Sequence, residues 1–199
     1  MMELEARTVE IGEVIARHLA PERLTQYWDV LMAENLKVNL VSRETWRPDF
    51  DRMVAECVLP LDLLTRDFAS YLDIGSGGGL PSIPLLLSGR IKGDAWLVER
   101  TQKKAAALQR ILAELSLEAK PIPQTFEEVP LDLKFDLITL RYVKLTPQLL
   151  RRILPALSPE GVFVYFSKPE FDCTNVSMTT VPYKISTEQF VKSLTLFRR

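Results

Sequence analysis

The segment Asp73-Ile74-Gly75-Ser76-Gly77-Gly78-Gly79-Leu80-Pro81 concentrates the residues best suited to chemistry. It separates two apolar runs, Tyr71–Ile74 and Pro81–Leu87, and so predicts a turn from a strand into a helix. Four glycines within residues 75–79 start a helix poorly unless a ligand needs the space. Gly75 and Gly77 let the backbone turn tightly and come close to such a ligand. The helix start adds unpaired N–H groups that suit an anionic group. Asp73 contributes the opposite charge beside the loop, which would repel a pyrophosphate and suits an ammonium or a sulfonium.

The obvious rival is a dinucleotide site, whose fingerprint is G-x-G-x-x-G. Counted from Gly75 the third glycine falls on Leu80, and counted from Gly77 it falls on Ser82. An NAD-linked oxidoreductase is therefore disfavoured, and S-adenosylmethionine (SAM), with its ammonium and sulfonium, fits the charge pattern better. Glu99 ends the next apolar run, 24 residues after Gly75, where a carboxylate can accept both hydroxyls of a ribose. Arg141 stands where the run Phe135–Leu140 leaves the sheet, on the same edge as Asp73 and Glu99. It has two plausible jobs: pairing with a carboxylate of the N-terminal region, or holding substrate RNA or cofactor at the mouth.

These residues need a sheet that presents them on one edge. Tyr71–Ile74, Ala95–Val98, Phe135–Leu140 and Val162–Phe166 read as buried strands, and Pro81–Leu87, 103–117 and Leu149–Leu157 as helices. Alternation of this kind predicts a Rossmann-like α/β fold with a mostly parallel sheet covered on both faces. Residues 3–38 and 48–65 read as helical, and 178–198 as one or two strands. The expected organisation is one compact domain, with a helical N-terminal cap over 1–67 and a ligand-binding core over 68–199.

Bulk properties narrow the partners. With 199 residues and a formal net charge of −1, the chain lacks the basic excess that advertises nucleic acid, so any RNA site is a local patch. Arg43, Arg47 and Arg52 form one candidate group, with Trp46 interleaved either to stack a base or to pack in the cap. Arg141, Lys144 and Lys168 form another near the expected mouth. Cys57 and Cys173 have no metal-ligand spacing, and no metal is expected. Cys57, on an apolar helix face, reads as an inert thiol. His18, the single histidine, is distant in sequence from the loop and reads as packing or surface. No apolar run reaches the roughly 18 residues of a membrane span. The acidic start Met1–Glu5 carries no apolar leader, so a cytoplasmic monomer is expected.

Together, DIGSGGGLPSIP at 73–84, LVERTQKKAAAL at 97–108, FEEVP at 126–130, FDLITLR at 135–141 and SPEG at 158–161 resemble the GidB/RsmG family. NLVS at 39–42 is similar to that family's N-terminal turn. These are bacterial SAM-dependent methyltransferases that modify a guanine at N7 in small-subunit (16S) ribosomal RNA. The resemblance implies a seven-stranded sheet. It implies that Gly75 and Leu80 are cofactor positions, and that the backbone of Phe126 and Glu127 meets the adenine. It puts Arg141 at the catalytic mouth and Asn39 in the N-terminal turn. Asp73, Gly77, Glu99 and Arg141 complete the expected cofactor set, and Asn39, Arg141 and Lys168 the expected substrate set. The chain departs from the family where R-H-x-x-D-S becomes Ala55-Glu56-Cys57-Val58-Leu59-Pro60, at Glu99-Arg100, at Thr125 and at Tyr142. SAM methyltransfer to another RNA or a small molecule, and a SAM-binding module without turnover, are the alternatives.

Overall fold

A computed structural model describes residues 5–130, 132–173 and 176–199. The strand before the glycine loop, β2 (Phe68–Ile74), is fully buried over Tyr71–Ile74. It lies between β3 (Ile91–Val98) and β5 (Phe135–Leu140), both parallel to it. Beyond β3 lies β4 (Lys120–Ile122), and beyond β5 lies β6 (Leu157–Tyr165). An antiparallel β8 (Lys192–Arg198) follows, then β7 (Ser177–Ile185) and finally β1 (Arg7–Val9), parallel to β7.

The sheet therefore has eight strands in the order β1-β7-β8-β6-β5-β2-β3-β4, not seven. The extra strand is β1. Its stretch reads as helix because Glu5–Glu10 is charged and short, yet its backbone pairs with Tyr183–Ile185. The N-terminal segment is thus not purely helical, and its first element belongs to the core sheet. Leu157, expected at the end of a helix, instead opens β6, and the preceding helix stops at Ile153.

Helices cover the faces unequally. α1 (Ile11–His18), α2 (Pro21–Asn35), α3 (Arg47–Val58), α4 (Ser82–Leu87) and α5 (Gln102–Glu114) bury their apolar sides on the face carrying Tyr71, Leu97, Leu137 and Val164. α6 (Pro147–Ile153) covers the other face with Leu72, Val98, Ile138 and Phe163. Successive strand residues take opposite faces, as the period of two demands. In the cap, Phe50 receives Tyr27 edge-on at 5.3 Å and Trp28 at 5.1 Å. His18 bonds Asp62 at 2.8 Å, tying α1 to the short 3-10 turn after α3, so its role is packing.

Chain order reverses between β2 and β5: β3 and β4 extend one way, β6 the other. A crevice opens at the carboxyl ends of such a pair, the usual binding place in open α/β sheets. The glycine loop leaves β2 there, and Arg141 leaves β5.

Candidate active site

A cavity of about 1020 Å³ occupies this crevice. The glycine loop, Glu99 and Gln124–Glu127 form one part of its lining, and Leu40–Ser42, Arg141 and Tyr142 another, with Leu40 lying against Gly78. Gly75, Gly77 and Gly79 all have positive φ, at 77°, 53° and 90°. A side chain at Gly79 would meet Ile83 Cγ1 at 2.4 Å, so packing excludes one there. At Gly77 nothing lies nearer than 3.8 Å, so protein neighbours alone leave room for a methyl group. The loop is anchored from the cap, where the buried Tyr27 hydroxyl donates to the Gly78 carbonyl at 3.0 Å.

Glu99 lies in the cavity wall with 7% exposure. Its Oε2 accepts from the Gly77 N–H at 3.0 Å and its Oε1 from the Thr101 N–H at 2.8 Å. The side chain therefore shapes the glycine loop as well as bordering the cavity, and each oxygen keeps capacity for a further donor.

Asp73 is not in the wall. It is buried behind the loop, where Oδ1 accepts from the Thr139 hydroxyl at 2.7 Å and Thr139 meets the Tyr71 hydroxyl at 2.8 Å. The register explains this, because Asp73 and Thr139 sit opposite each other on β2 and β5. Oδ2 has no partner among the described residues. Burial pushes the carboxyl pKa up to about 6, against the Thr139 hydrogen bond.

Leu80 lines the cavity. Phe126–Glu128 form a 3-10 turn closed by a capping box between Thr125 and Glu128. Arg152 donates to the carbonyls of Phe126 and Glu127 and stacks 5.4 Å from the Phe126 ring. That leaves the first-turn N–H groups of this pair without an intrahelical partner.

Arg141 takes the first of its two plausible jobs. Its side chain is 2% exposed, and Nη2 bonds Glu56 Oε2 on α3 at 2.7 Å. Glu56 also receives Lys192 Nζ from β8 at 2.5 Å. The guanidinium stacks 4.1 Å from the Tyr142 ring, and Tyr142 holds a left-handed backbone with φ 59°. Arg141 nonetheless still borders the cavity.

The other expected residues lie further out. Asn39 is exposed and lines no cavity; the asparagine that builds this turn is Asn35, whose Oδ1 accepts from the N–H groups of Leu40 and Val41 at 2.8 and 3.1 Å. Lys168 is exposed beyond Arg141, in the wall of a smaller adjoining cavity. Trp46 is 74% exposed and is not core. Lys144 pairs with Glu170 at 2.7 Å. Burial raises the Cys57 thiol to about 12, which suits an inert role. Sequence reasoning missed Tyr27, Thr139 and Lys192; a lone threonine inside FDLITL was the only local signal for any of them.

No helix among the described residues is long and apolar enough to cross a membrane. Among them, no group of three or more His, Cys, Asp or Glu could hold a metal ion.

Comparison with known proteins agrees with this geometry. The O-methyltransferase TomG from Streptomyces achromogenes, solved in complex with SAM, superposes with TM-score 0.64 at 17% identity, covering 100% of this chain and 99% of that one. At that identity the likeness speaks for the fold. Ribosomal RNA small subunit methyltransferase G of Acidiphilium cryptum is 30% identical over 165 residues, 82% of this chain and 75% of the relative. Its counterpart from Helicobacter acinonychis is 32% identical over 144 residues, 72% of this chain and 79% of the relative. The family described as rRNA small subunit methyltransferase G matches residues 20–196. The chain belongs to that family.

Proposed function

We propose that this chain transfers the methyl group of SAM to N7 of a guanine in small-subunit (16S) ribosomal RNA, in the cytoplasm. The observation that carries the reading is the switch-point cavity, with a glycine loop and Glu99 on one wall and Arg141 on the other. Family membership supports the ribosomal acceptor.

The residues fit SAM. The loop turns through three positive-φ glycines, and two of them, Gly75 and Gly77, bring bare backbone to the edge of the cavity. In this reading the loop backbone holds the methionine end. Asp73, with its unpartnered buried oxygen behind the loop, supplies the negative field for the ammonium and sulfonium. Glu99 accepts the ribose hydroxyls, Leu80 packs against the ligand, and Phe126 and Glu127 offer backbone to the adenine. Bound there, SAM supplies a methyl group on a positively charged sulfur.

Guanine N7 carries an in-plane lone pair and no proton, so its attack needs no general base. The protein's contribution is alignment, which can lower a barrier by several kcal/mol. Arg141, clamped by Glu56 and Tyr142, fixes the acceptor side of the cavity. Lys168 meets the RNA outside it, and Asn39 on the exposed turn touches RNA only at the rim.

Small ribosomal subunits incubated with the protein and SAM, then digested and mapped by mass spectrometry, should carry one new 7-methylguanosine. Subunits that gain no methyl group, or gain it on an exocyclic amine, overturn the reading.

A further inference from the structure

A smaller cavity, about 510 Å³, adjoins the first and shares Arg52, Arg141 and Tyr142 with it. That volume lies within the roughly 300–1,000 Å³ range of small-ligand sites. Four cations line it, Arg52, Arg141, Lys168 and Lys192, against one lining carboxylate, Glu56.

Most of these charges are already engaged. Arg52 bonds Asp49 at 3.5 Å and Glu188 at 3.2 Å. Lys192 bonds Glu56 at 2.5 Å and Glu188 at 2.8 Å. Two donors remain. Arg141 Nη1 is buried with no partner among the described residues, although Nη2 of the same group is tied to Glu56. Lys168 is exposed and makes no ion pair among the described residues. A buried guanidinium N–H without a partner is costly unless a ligand completes it. The guanidinium carbon also lies 4.1 Å from the Tyr142 ring centre and 5.8 Å from that of Phe166, contacts that with the Glu56 bond restrain its free arm.

A rigid arginine arm beside a mobile lysine suits a phosphate, which accepts from a fixed fork and attracts a point charge. Tyr142 and Phe166 add flat apolar surface for a base or sugar. We propose that the smaller cavity seats a phosphate-bearing nucleotide of the acceptor RNA, its phosphate bound by Arg141 Nη1 and Lys168, beside the nucleotide whose base enters the larger cavity. Glu56 then acts as a positioning residue: it fixes one arm of Arg141 and so aims the other. The inference rests on the proposed acceptor being RNA.

Guanosine 5′-monophosphate and guanosine serve as probes, titrated by calorimetry into protein saturated with S-adenosylhomocysteine so that the cofactor part of the larger cavity is occupied. The monophosphate should bind about tenfold or more tightly than guanosine. Lys168→Glu, a surface change that leaves the core untouched, should erase that advantage while guanosine affinity stays as it was. On small subunits the same variant should raise KM and leave kcat nearly unchanged. The inference is overturned if the two probes bind alike, if Lys168→Glu binds the monophosphate as wild type does, or if S-adenosylhomocysteine displaces it. Failure of the functional reading looks different: wild-type protein with the expected probe pattern that methylates no ribosomal RNA keeps a phosphate site and loses the acceptor.

Discussion

The two walls of the central cavity are built from different materials. The cofactor wall is mostly backbone: positive-φ glycines, N–H groups held by Glu99, and a carbonyl held by Tyr27. The proposed acceptor wall presents Arg52 and Arg141, and both are held by carboxylates outside the cavity: Glu56 bonds Arg141 and Lys192, and Glu188 pairs with Arg52 and Lys192. The first wall accommodates a ligand through the absence of atoms, the second through charges that already have partners. Removing a residue from the first should therefore cost binding, and from the second, folding.

The sharpest way to break this contrast is Glu56→Ala. It leaves Arg141 buried without its carboxylate and takes one of the two carboxylates that hold Lys192, and truncating one partner of a buried pair costs about 3–5 kcal/mol. Urea denaturation should show a loss of that size, with SAM affinity of the folded protein within about threefold of wild type. A loss below about 1 kcal/mol would mean that the two walls do not differ in this way.

Asp73 sharpens the comparison through pH. Its folded pKa, about 6, lies above its ordinary 3.8, so the native state holds this proton more tightly than the unfolded chain. Its contribution favours folding below about pH 4 and is lost as pH rises through 6, a change of order 3 kcal/mol. Asp73→Asn should flatten that part of the stability profile, melt higher than wild type at pH 7.5 without ligand, and bind SAM more weakly. Parallel pH profiles for the two proteins would reject a buried, proton-retaining Asp73.

Glu99→Ala should weaken SAM by roughly 1.5–3 kcal/mol, the scale of hydrogen bonds to a charged group. Because the Gly77 and Thr101 amides also lose their acceptor, Glu99→Gln should recover part of the loss. Unchanged affinity by calorimetry would remove Glu99 from the site. The smallest effect belongs to Tyr27→Phe, which deletes one hydrogen bond to Gly78 and should cost about 0.5–1.5 kcal/mol. SAM affinity should drop with it if the cap truly holds the loop, whereas a stability loss alone would confine Tyr27 to packing.

The same contrast explains what was legible in the sequence. Glycines at fixed offsets after an apolar run announce a backbone conformation, and Glu99 announces itself by ending the next strand, because both are local requirements. Short apolar runs similarly exposed β2, β3, β5 and β6. The acceptor wall joins Glu56, Arg141 and Lys192, residues separated by 85 and 136 positions from Glu56, and no local pattern signals such a meeting. Glu56 stood out only as a departure from the family's pattern; that Arg141 could pair with a carboxylate of the N-terminal region was legible, but which carboxylate was not. Asp73 reads in the sequence as a carboxylate facing the ligand, and its burial was not legible, since it bonds its opposite number, Thr139, on β5. Three residues of β1 were too few to show a period.

That short strand has a consequence for how the protein is made. β1 is synthesised before every other described element, and its strand neighbour among the described residues, β7, follows much later; Glu10 and Ser186, bonded at 2.8 Å beside the junction, are 176 positions apart. Contacts between such distant positions close slowly, because a long loop must be ordered before they give anything back. Until β1 docks, the outer side of Tyr183–Ile185 is an open template for any passing strand. The nascent chain thus holds its own edge guard before the edge itself is made, and the hazard of mispairing is confined to the interval between completing β7 and recapturing Arg7–Val9.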